Sequence, residues 1–409
     1  MSLFKTTSIE HQKQGKAKIN SVWKNSYVVQ EMKKEIKGAT TNDLANAFIW
    51  SAFKYYLRQD TDSYIVFSPI KYWKSQHLIN KKFINGFGFN RKHFHTNTNA
   101  FISCILWQNS KYNLKEFILE TYDIENENLV KNNNITIKRV YTLFSEKFYN
   151  QELDQNDKFD GISSELNGLE NQKHSRNRVK KIYNENIIGY LVSTRGFDNA
   201  RLNCGLTICG RYDGNGTFLR KDNFLEKLPI FTAGKYTDNY NHWTIMSQVM
   251  KSADKYDDYI KDVRNGKLNS WLLKNLLYTS LTHYSHMRSL NGSDGRFYRN
   301  ELCLDTSNGE TLASTTLKQI NFNNDELNLI KVWKQVLDEA KKTNEYNPDF
   351  TYGLYQIDEE LNTKFKDEKG RNIYNYPELN GHIKTLKTLL KSYYLKEIVP
   401  TLFEYELLK

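Results

Sequence analysis

The alternation of hydrophobic and polar positions is most regular between residues 42 and 109, where it predicts a helix followed by three strands. The helix, at 42–57, has one apolar stripe, formed by Leu44, Ala45, Phe48, Ile49, Ala52, Phe53 and Tyr56. Buried strands are predicted at 64–67, 83–89 and 100–107. A short polar and helical passage separates the first two strands, and a basic loop, 90–99, separates the last two. This order predicts one edge of an open α/β sheet, and such sheets keep their binding sites at strand ends.

The rest of the chain changes character twice along its length. Residues 1–40 are polar and basic and predict an extended loop, and Met1-Ser2-Leu3 is interpreted as an expression leader on a fragment. Residues 111–134 contain an acidic run and predict a connection between domains. Further strands are predicted at 135–144, 187–193 and 206–209. Helices are predicted at 247–264, 270–287, 325–342 and 379–398, with Pro400 interrupting the last one. The predicted domains are 1–115, a β-rich 116–241 and a mainly helical 242–409.

Composition adds that aromatic side chains form much of the core. Hydrophobic residues make up 39% of the 409 residues and aromatic residues 14%, and each aromatic ring buries a large area. No apolar run approaches the ~18 residues of a membrane span, and the N-terminus has no apolar signal core. Four cysteines lack the paired spacing of a metal site. We therefore expect a cytoplasmic protein with reduced thiols and no membrane partner.

Net charge points toward nucleic acid. Lysine and arginine total 58 against 47 acidic residues, which gives a net charge of +11. A cytoplasmic protein with this excess often binds nucleic acid. The alternative is an AT-rich genome, whose codons favour Lys, Asn, Tyr and Ile, and composition by itself does not decide between the two.

The order of elements in 42–109 resembles the second half of the catalytic domain of DNA adenine methyltransferases from restriction–modification systems. In that family, a helix with an apolar stripe precedes a strand that ends in proline, as Phe67-Ser68-Pro69 does here. A helix-like link, a strand, a variable loop and a strand ending in an aromatic residue follow, and AFISCILWQN places Trp107 at that position. Weaker similarity to the C-terminal end of large restriction–modification proteins lies at 292–301, 374–380 and 397–405.

The resemblance implies a fold, a cofactor and a partner. The expected fold class is α/β, a partial Rossmann-like methyltransferase sheet followed by a mixed α+β target-recognition region and C-terminal helices. The family methylates adenine in double-stranded DNA with S-adenosylmethionine. Its catalytic signature, Asn or Asp followed by Pro-Pro and Tyr or Phe, is missing here, because the five prolines are nowhere adjacent. The cofactor-binding glycine turn is missing as well. We therefore expect this chain to bind no cofactor alone, with an N-terminal segment or a separate subunit supplying both motifs.

Base flipping explains which residue types the family needs, since an amine inside a base stack is out of reach of the enzyme. A flipped base is held by aromatic stacking, worth roughly 1–3 kcal/mol per base. By resemblance, Trp107 is the stacking residue, and Tyr72, Trp73 and Pro69 wall the pocket. The alternatives are that Trp107 is core at a strand end and that Tyr72 and Trp73 cover the sheet.

DNA contacts are predicted at four places, where cations neutralise phosphates and amides or arginines read base edges. The predicted contacts are Lys71, Lys74, Arg91, Lys92, Asn97, Asn99, Arg176, Arg178, Lys180, Lys181, Arg288, Arg296 and Arg299. The alternatives are a solvated hairpin loop at 90–99, a solvated charge run at 173–181, and a structural turn at 292–299 in which arginines pair with Asp294 and Glu301. His93 and His95 have strand spacing but no acidic or cysteine companion nearby in the sequence, so no metal is expected.

The sequence is also compatible with two other functions. A nuclease part of a fused restriction enzyme needs carboxylates that hold magnesium, and Asp213, Asp222 and Glu226, with Lys227 nearby, are the candidates. A non-catalytic DNA specificity subunit needs no catalytic residues and depends on a partner.

Overall fold

The chain divides into two compact units. A computed structural model describes residues 22–36, 39–94, 99–140, 187–193, 204–208, 216–239, 243–244, 254–291 and 297–409. The first unit comprises 1–141 with 241–246, and the second comprises 142–240 with 247–409. Both units combine helices with β-sheet, so the protein belongs to the mixed α/β class.

The first unit is built on one five-stranded mixed sheet. Its strands are β1 (Ser63–Ser68), β2 (Lys81–Asn90), β3 (Phe101–Lys111), β4 (Glu116–Glu125) and β5 (Asn128–Lys138), in the order β1-β3-β2-β4-β5. β3 runs antiparallel between β1 and β2, and β4 pairs antiparallel with β5. Among these five strands, only β2 and β4 pair in parallel.

The β4–β5 hairpin overturns the predicted connection at 111–134. Burial alternates along β4, since Phe117 and Leu119 face the core while Glu116 and Ile118 face solvent. β4 is hydrogen-bonded to β2, in register from Phe87↔Glu120. The predicted boundary at 115/116 therefore falls inside a sheet.

Among the described residues of this unit, three α-helices accompany the sheet: α1 (Tyr27–Glu35), α2 (Leu44–Ser51) and α3 (Lys71–Lys74). α2 continues into a π-helical turn, Ala52–Tyr56, and its first turn is capped by Asp43, which accepts from the N–H of Ala45 at 3.1 Å. The predicted extended loop at 1–40 is wrong for α1, since Val29 and Met32 bury one side of it. Residues 1–21 lie outside the described part.

The second unit contains a four-stranded sheet and most of the helices. Its strands are β6 (Ile187–Ser193), β7 (Cys204–Thr207), β8 (Gly216–Arg220) and β9 (Ser285–His286), in the order β8-β6-β7-β9. Two short strands, β10 (Leu290–Asn291) and β11 (Phe297–Tyr298), pair with each other. The predicted strand at 187–193 is confirmed as β6, and that at 206–209 overlaps β7.

The helices of this unit are α4 (Phe224–Asn239), α5 (Tyr256–Arg264), α6 (Asn269–Leu281), α7 (Leu312–Leu317), α8 (Asn324–Ala340), α9 (Leu354–Gln356), α10 (Pro377–Tyr393) and α11 (Val399–Glu404). Side chains from α4, α6, α8 and α10 share one hydrophobic core. The predicted helix at 325–342 is confirmed as α8, which a capping box between Asn323 and Glu326 begins. Pro400 lies in the first turn of α11, which follows a π-helical turn after α10.

A small hairpin precedes α10. Its strands are β12 (Lys364–Lys366) and β13 (Asn372–Tyr374), which pair antiparallel with each other. Every described side chain of the two strands is exposed except that of Tyr374, which is half-buried.

Candidate nucleic-acid interface

The aromatic residues of the predicted base pocket form the core of the first unit. Trp107 is 0% exposed, and its indole N–H donates to the hydroxyl of Tyr72 at 2.9 Å. The ring of Trp73 stacks on that of Trp107 with centroids 6.2 Å apart. Phe83 and Phe117 meet the Trp107 ring edge-on, at 5.9 and 5.7 Å.

The flipped-base pocket is therefore wrong as predicted. A base stacks only on a ring face that solvent reaches, and Tyr72, Trp73 and Trp107 have none. Burial also raises the pKa of the Tyr72 hydroxyl, which keeps it neutral as the partner of the indole. Pro69, the fourth predicted member, follows β1 directly and is half-buried.

The two lysines around α3 differ in their surroundings. Lys74 is 3% exposed, so the predicted phosphate contact there is wrong. Burial, with a smaller effect from Lys138, lowers the pKa of Lys74 to about 7. Lys71 is partly exposed and forms an ion pair with Asp43 at 2.8 Å between Nζ and Oδ2.

The loop after β2 is held in a defined turn. Asn90 caps a 3-10 turn, Arg91–His93, by accepting from the N–H of Lys92 at 3.2 Å. The amide group of Asn90 donates to Oδ1 of Asn99 at 3.0 Å and to Oδ2 of Asp123 at 3.2 Å. Through these bonds to the loop and to β4, Asn90 fixes the start of the turn that carries Arg91 and Lys92.

His93 has an acidic partner that the sequence did not reveal. Asp123, on β4, contacts Nε2 of His93 through Oδ1, and Nζ of Lys92 lies 3.6 Å from the same oxygen. Burial by itself raises the pKa of Asp123, but hydrogen bonds from His93, Asn90 and the N–H of Ile124 outweigh it and lower the pKa to about 2. The carboxylate therefore ties the loop to β4 at neutral pH.

The solvent-facing side of the sheet carries an aromatic cluster next to this loop. We call it the aromatic face, and it comprises Phe67, Phe87, Phe89, Phe94 and Tyr122. The rings of Phe87 and Phe89 lie 4.8 Å apart, and Phe94 lies 5.0 Å from Phe67. Phe94 is 39% exposed, and the other four rings are half-buried.

Two glycines explain why these rings point toward solvent. A Cβ at Gly88 would lie 2.3 Å from Cε2 of Phe101, and one at Gly86 would lie 2.7 Å from the carbonyl oxygen of Cys104. Only glycine therefore allows β3 to approach β2 this closely on the core side. Gly86-Phe87-Gly88-Phe89 is the sequence signal that identifies the aromatic face.

Arg288 and Arg299, the two predicted contacts of the second unit that the structure describes, are engaged by groups of the protein itself. Arg288 pairs with Glu360 at 3.0 Å. Arg299 donates to the carbonyl oxygens of Asn308, Gly309 and Glu310 and lies 3.6 Å from Glu301. For Arg299 the structural turn thus replaces the predicted DNA contact. Asn97, Arg176, Arg178, Lys180, Lys181 and Arg296 lie outside the described residues.

The magnesium candidates are also held by cations. Arg220 bonds Asp222 at 2.9 Å, and Nζ of Lys227 lies 3.3 Å from Glu226, while Asp213 is outside the described residues. In the part of the chain that is described, no three His, Cys, Asp or Glu side chains are placed to share a metal ion. Helices in the same part are too short or too polar to cross a bilayer.

Comparisons of this chain with known protein families, curated proteins and solved structures find no match. Function must therefore be argued from the residues. The loop at 90–94 with Asn99 and the aromatic face together offer cations, an amide and ring surfaces at one end of one sheet.

Proposed function

We propose that this chain binds DNA as the target-recognition part of a DNA adenine methyltransferase whose catalytic motifs lie on another segment or subunit. One observation carries the proposal: Arg91, Lys92 and the exposed Asn99 lie beside a solvent-facing aromatic cluster. Cations position a protein on the phosphate backbone, and amides read base edges. Aromatic rings contact bases that have left the stack.

The order of elements supports the family part of the proposal. A capped helix (α2), a strand ending at Ser68-Pro69, a short helix (α3), a strand, a loop and a final strand follow one another between 44 and 111. This is the order that the resemblance implies. On this proposal, β1, β3 and β2 correspond to part of a Rossmann-like methyltransferase sheet, which β4 and β5 extend on one side.

Because Trp107 is buried, this chain does not supply the ring that holds the target base. With this ring in the core, the target base is held by the segment that carries the Asn-Pro-Pro-Tyr type of signature. S-adenosylmethionine, which would donate the methyl group, binds that segment too, because this chain lacks the glycine turn of the family. The role left to this chain is to bind and position the DNA.

Fluorescence anisotropy with labelled duplex and single-stranded DNA over a range of salt concentrations tests the proposal. The double variant Arg91→Ala/Lys92→Ala removes both loop cations, whereas Lys341→Ala/Lys342→Ala removes two exposed lysines of α8's C-terminal end as a charge-matched control. We expect the first variant to weaken binding by about tenfold and to reduce the log–log salt slope by roughly 2. The control should behave as the wild type.

Equal loss in both double variants would mean that only bulk charge matters and would contradict a site at the loop. Absence of any salt-dependent binding by the wild type would overturn DNA binding altogether. If Phe89→Ala leaves DNA affinity unchanged but alters self-association, then the aromatic face binds protein, and only the loop remains as a DNA contact.

A further inference from the structure

The hairpin β12–β13 is a preformed ribbon that projects from the second unit. Its ladder pairs Lys364 with Tyr374, Phe365 with Ile373 and Lys366 with Asn372. Phe365 is 54% exposed and Ile373 is 40% exposed, so little of the protein covers the ribbon on either side. An isolated two-stranded hairpin is at best marginally stable in water, which means that this one depends on its ends.

Both ends of the ribbon are fixed by hydrogen bonds. At its base, Asn375 donates its backbone N–H to the carbonyl of Thr363 at 2.9 Å and its side-chain amide to the Thr363 hydroxyl at 2.8 Å. At its tip, the carboxylate of Asp367 accepts from the backbone N–H groups of Lys369 and Arg371, at 3.0 and 2.8 Å. Gly370 completes the turn with a φ of 74°.

The two sides of the ribbon differ in chemistry because side chains alternate along a strand. Phe365 and Ile373 form a cross-strand apolar pair on one side, which stiffens the ribbon. The other side carries Lys364, Lys366, Asn372 and Tyr374. Lys364 and Lys384, the latter from α10, each lie 5.7 Å from the centroid of the Tyr374 ring.

The cationic side is available to a partner. Within residues 297–409, Arg371 pairs with Asp367, while Lys364, Lys366 and Lys384 have no carboxylate partner. On this side of the ribbon two lysines lie near the Tyr374 ring and Asn372 stands opposite Lys366, so its charged groups are all cationic. Its charge is complementary to a polyanion, and B-DNA's major groove admits a two-stranded ribbon.

We propose that β12–β13 is a base-reading arm that lies in the major groove of duplex DNA with its Lys366–Asn372 side toward the base edges. Lys366 suits the acceptors of guanine, and Asn372 suits the donor and acceptor of adenine. Lys364 and Lys384 contact the flanking phosphates and supply affinity without sequence preference. This arm deepens the proposed function and rests on it, since it gives the DNA-binding chain a way to choose its target.

Selection from a randomised duplex library, followed by affinity measurements on the enriched sequence, tests the arm. We expect the full-length wild type to enrich a motif. Asn372→Ala should lose preference at one base pair, with affinity for the enriched site falling about 10- to 100-fold, which corresponds to about 1.4–2.8 kcal/mol. Lys366→Ala should lose preference at an adjacent pair, and Lys366→Arg should keep it. Lys364→Ala should weaken enriched and scrambled duplexes equally.

The outcomes separate the arm from the proposed function. A wild-type motif that Asn372→Ala and Lys366→Ala both enrich unchanged, with unchanged affinity, overturns the arm and leaves DNA binding intact. If the wild type binds no duplex at all, both proposals fail. Loss of preference in the ribbon variants, with far-ultraviolet circular dichroism unchanged, supports the arm, because the substituted side chains are exposed and leave the Phe365–Ile373 pair in place.

Discussion

Trp107 shows that the neighbours of a tryptophan decide whether its ring is able to stack on a base or packs inside the core. Its indole is enclosed by rings from α3, β2 and β4, and the indole N–H donates its hydrogen bond to the hydroxyl of Tyr72. We expect Trp107→Ala to lower the free energy of unfolding by about 3–5 kcal/mol, as large aromatic deletions in cores do. Urea unfolding followed by circular dichroism measures this, with Tyr112→Ala, at an exposed aromatic position, as the control. A stable Trp107→Ala protein with lost DNA affinity would instead restore the base-stacking role.

The buried Lys74 makes the folding stability of the chain depend on pH. Its pKa is near 7 in the folded chain because of burial, against an ordinary value of 10.5. Between these two values the unfolded chain binds the extra proton, so folding stability rises as pH increases from 7 toward 10.5. We expect Lys74→Met to remove this rise. The increase in unfolding free energy with pH should be at least about 1 kcal/mol larger in the wild type than in the variant. Thermal unfolding between pH 7 and pH 10 measures the difference, and parallel pH profiles would contradict it.

At the scale of elements, the tight pairing of β2 with β3 depends on glycine. Gly88→Ala places a methyl group against the Phe101 ring, and we expect it to destabilise the chain by about 1–3 kcal/mol. Gly381, inside α10, has nothing within 4 Å of an added Cβ. Gly381→Ala should therefore stabilise the chain by about 0.5–1 kcal/mol, because alanine favours a helix. The denaturant midpoint should fall for Gly88→Ala and rise for Gly381→Ala. A rise for both variants would show that β3 makes room for the new methyl group.

Elements with regular alternation were predictable, and those with mixed signals were not. β1, β2 and β3 were expected from apolar runs, and α8 was expected, at 325–342, from its helical periodicity. The β4–β5 hairpin was missed because its outward positions carry acids and its inward ones are interrupted by Thr121 and Asp123. α4 was missed because Pro229 lies inside it, and proline normally argues against a helix interior.

At the scale of the whole molecule, the proposal predicts binding without methyl transfer. With neither the Pro-Pro signature nor the glycine turn in the sequence, we expect this chain to transfer no label from radioactive S-adenosylmethionine to duplex DNA. The same sample should still bind that duplex in the anisotropy assay, which serves as the control for folded protein. Robust methyl transfer by this chain alone would contradict the proposal that another segment or subunit carries the catalytic motifs.

The sequence by itself determined the elements with regular hydrophobic periodicity, such as β1, β2, β3 and α8, since this periodicity is a local property. Tertiary structure decided which side chains meet solvent, and therefore which of them are able to bind DNA. Trp107 and Phe89 stand on neighbouring strands with similar local patterns, yet one ring is enclosed and the other is half-open. Likewise, Asp123 reached His93 only through the pairing of β2 with β4. Burial and charge pairing depend on contacts between residues distant in the chain, and the local pattern does not contain them.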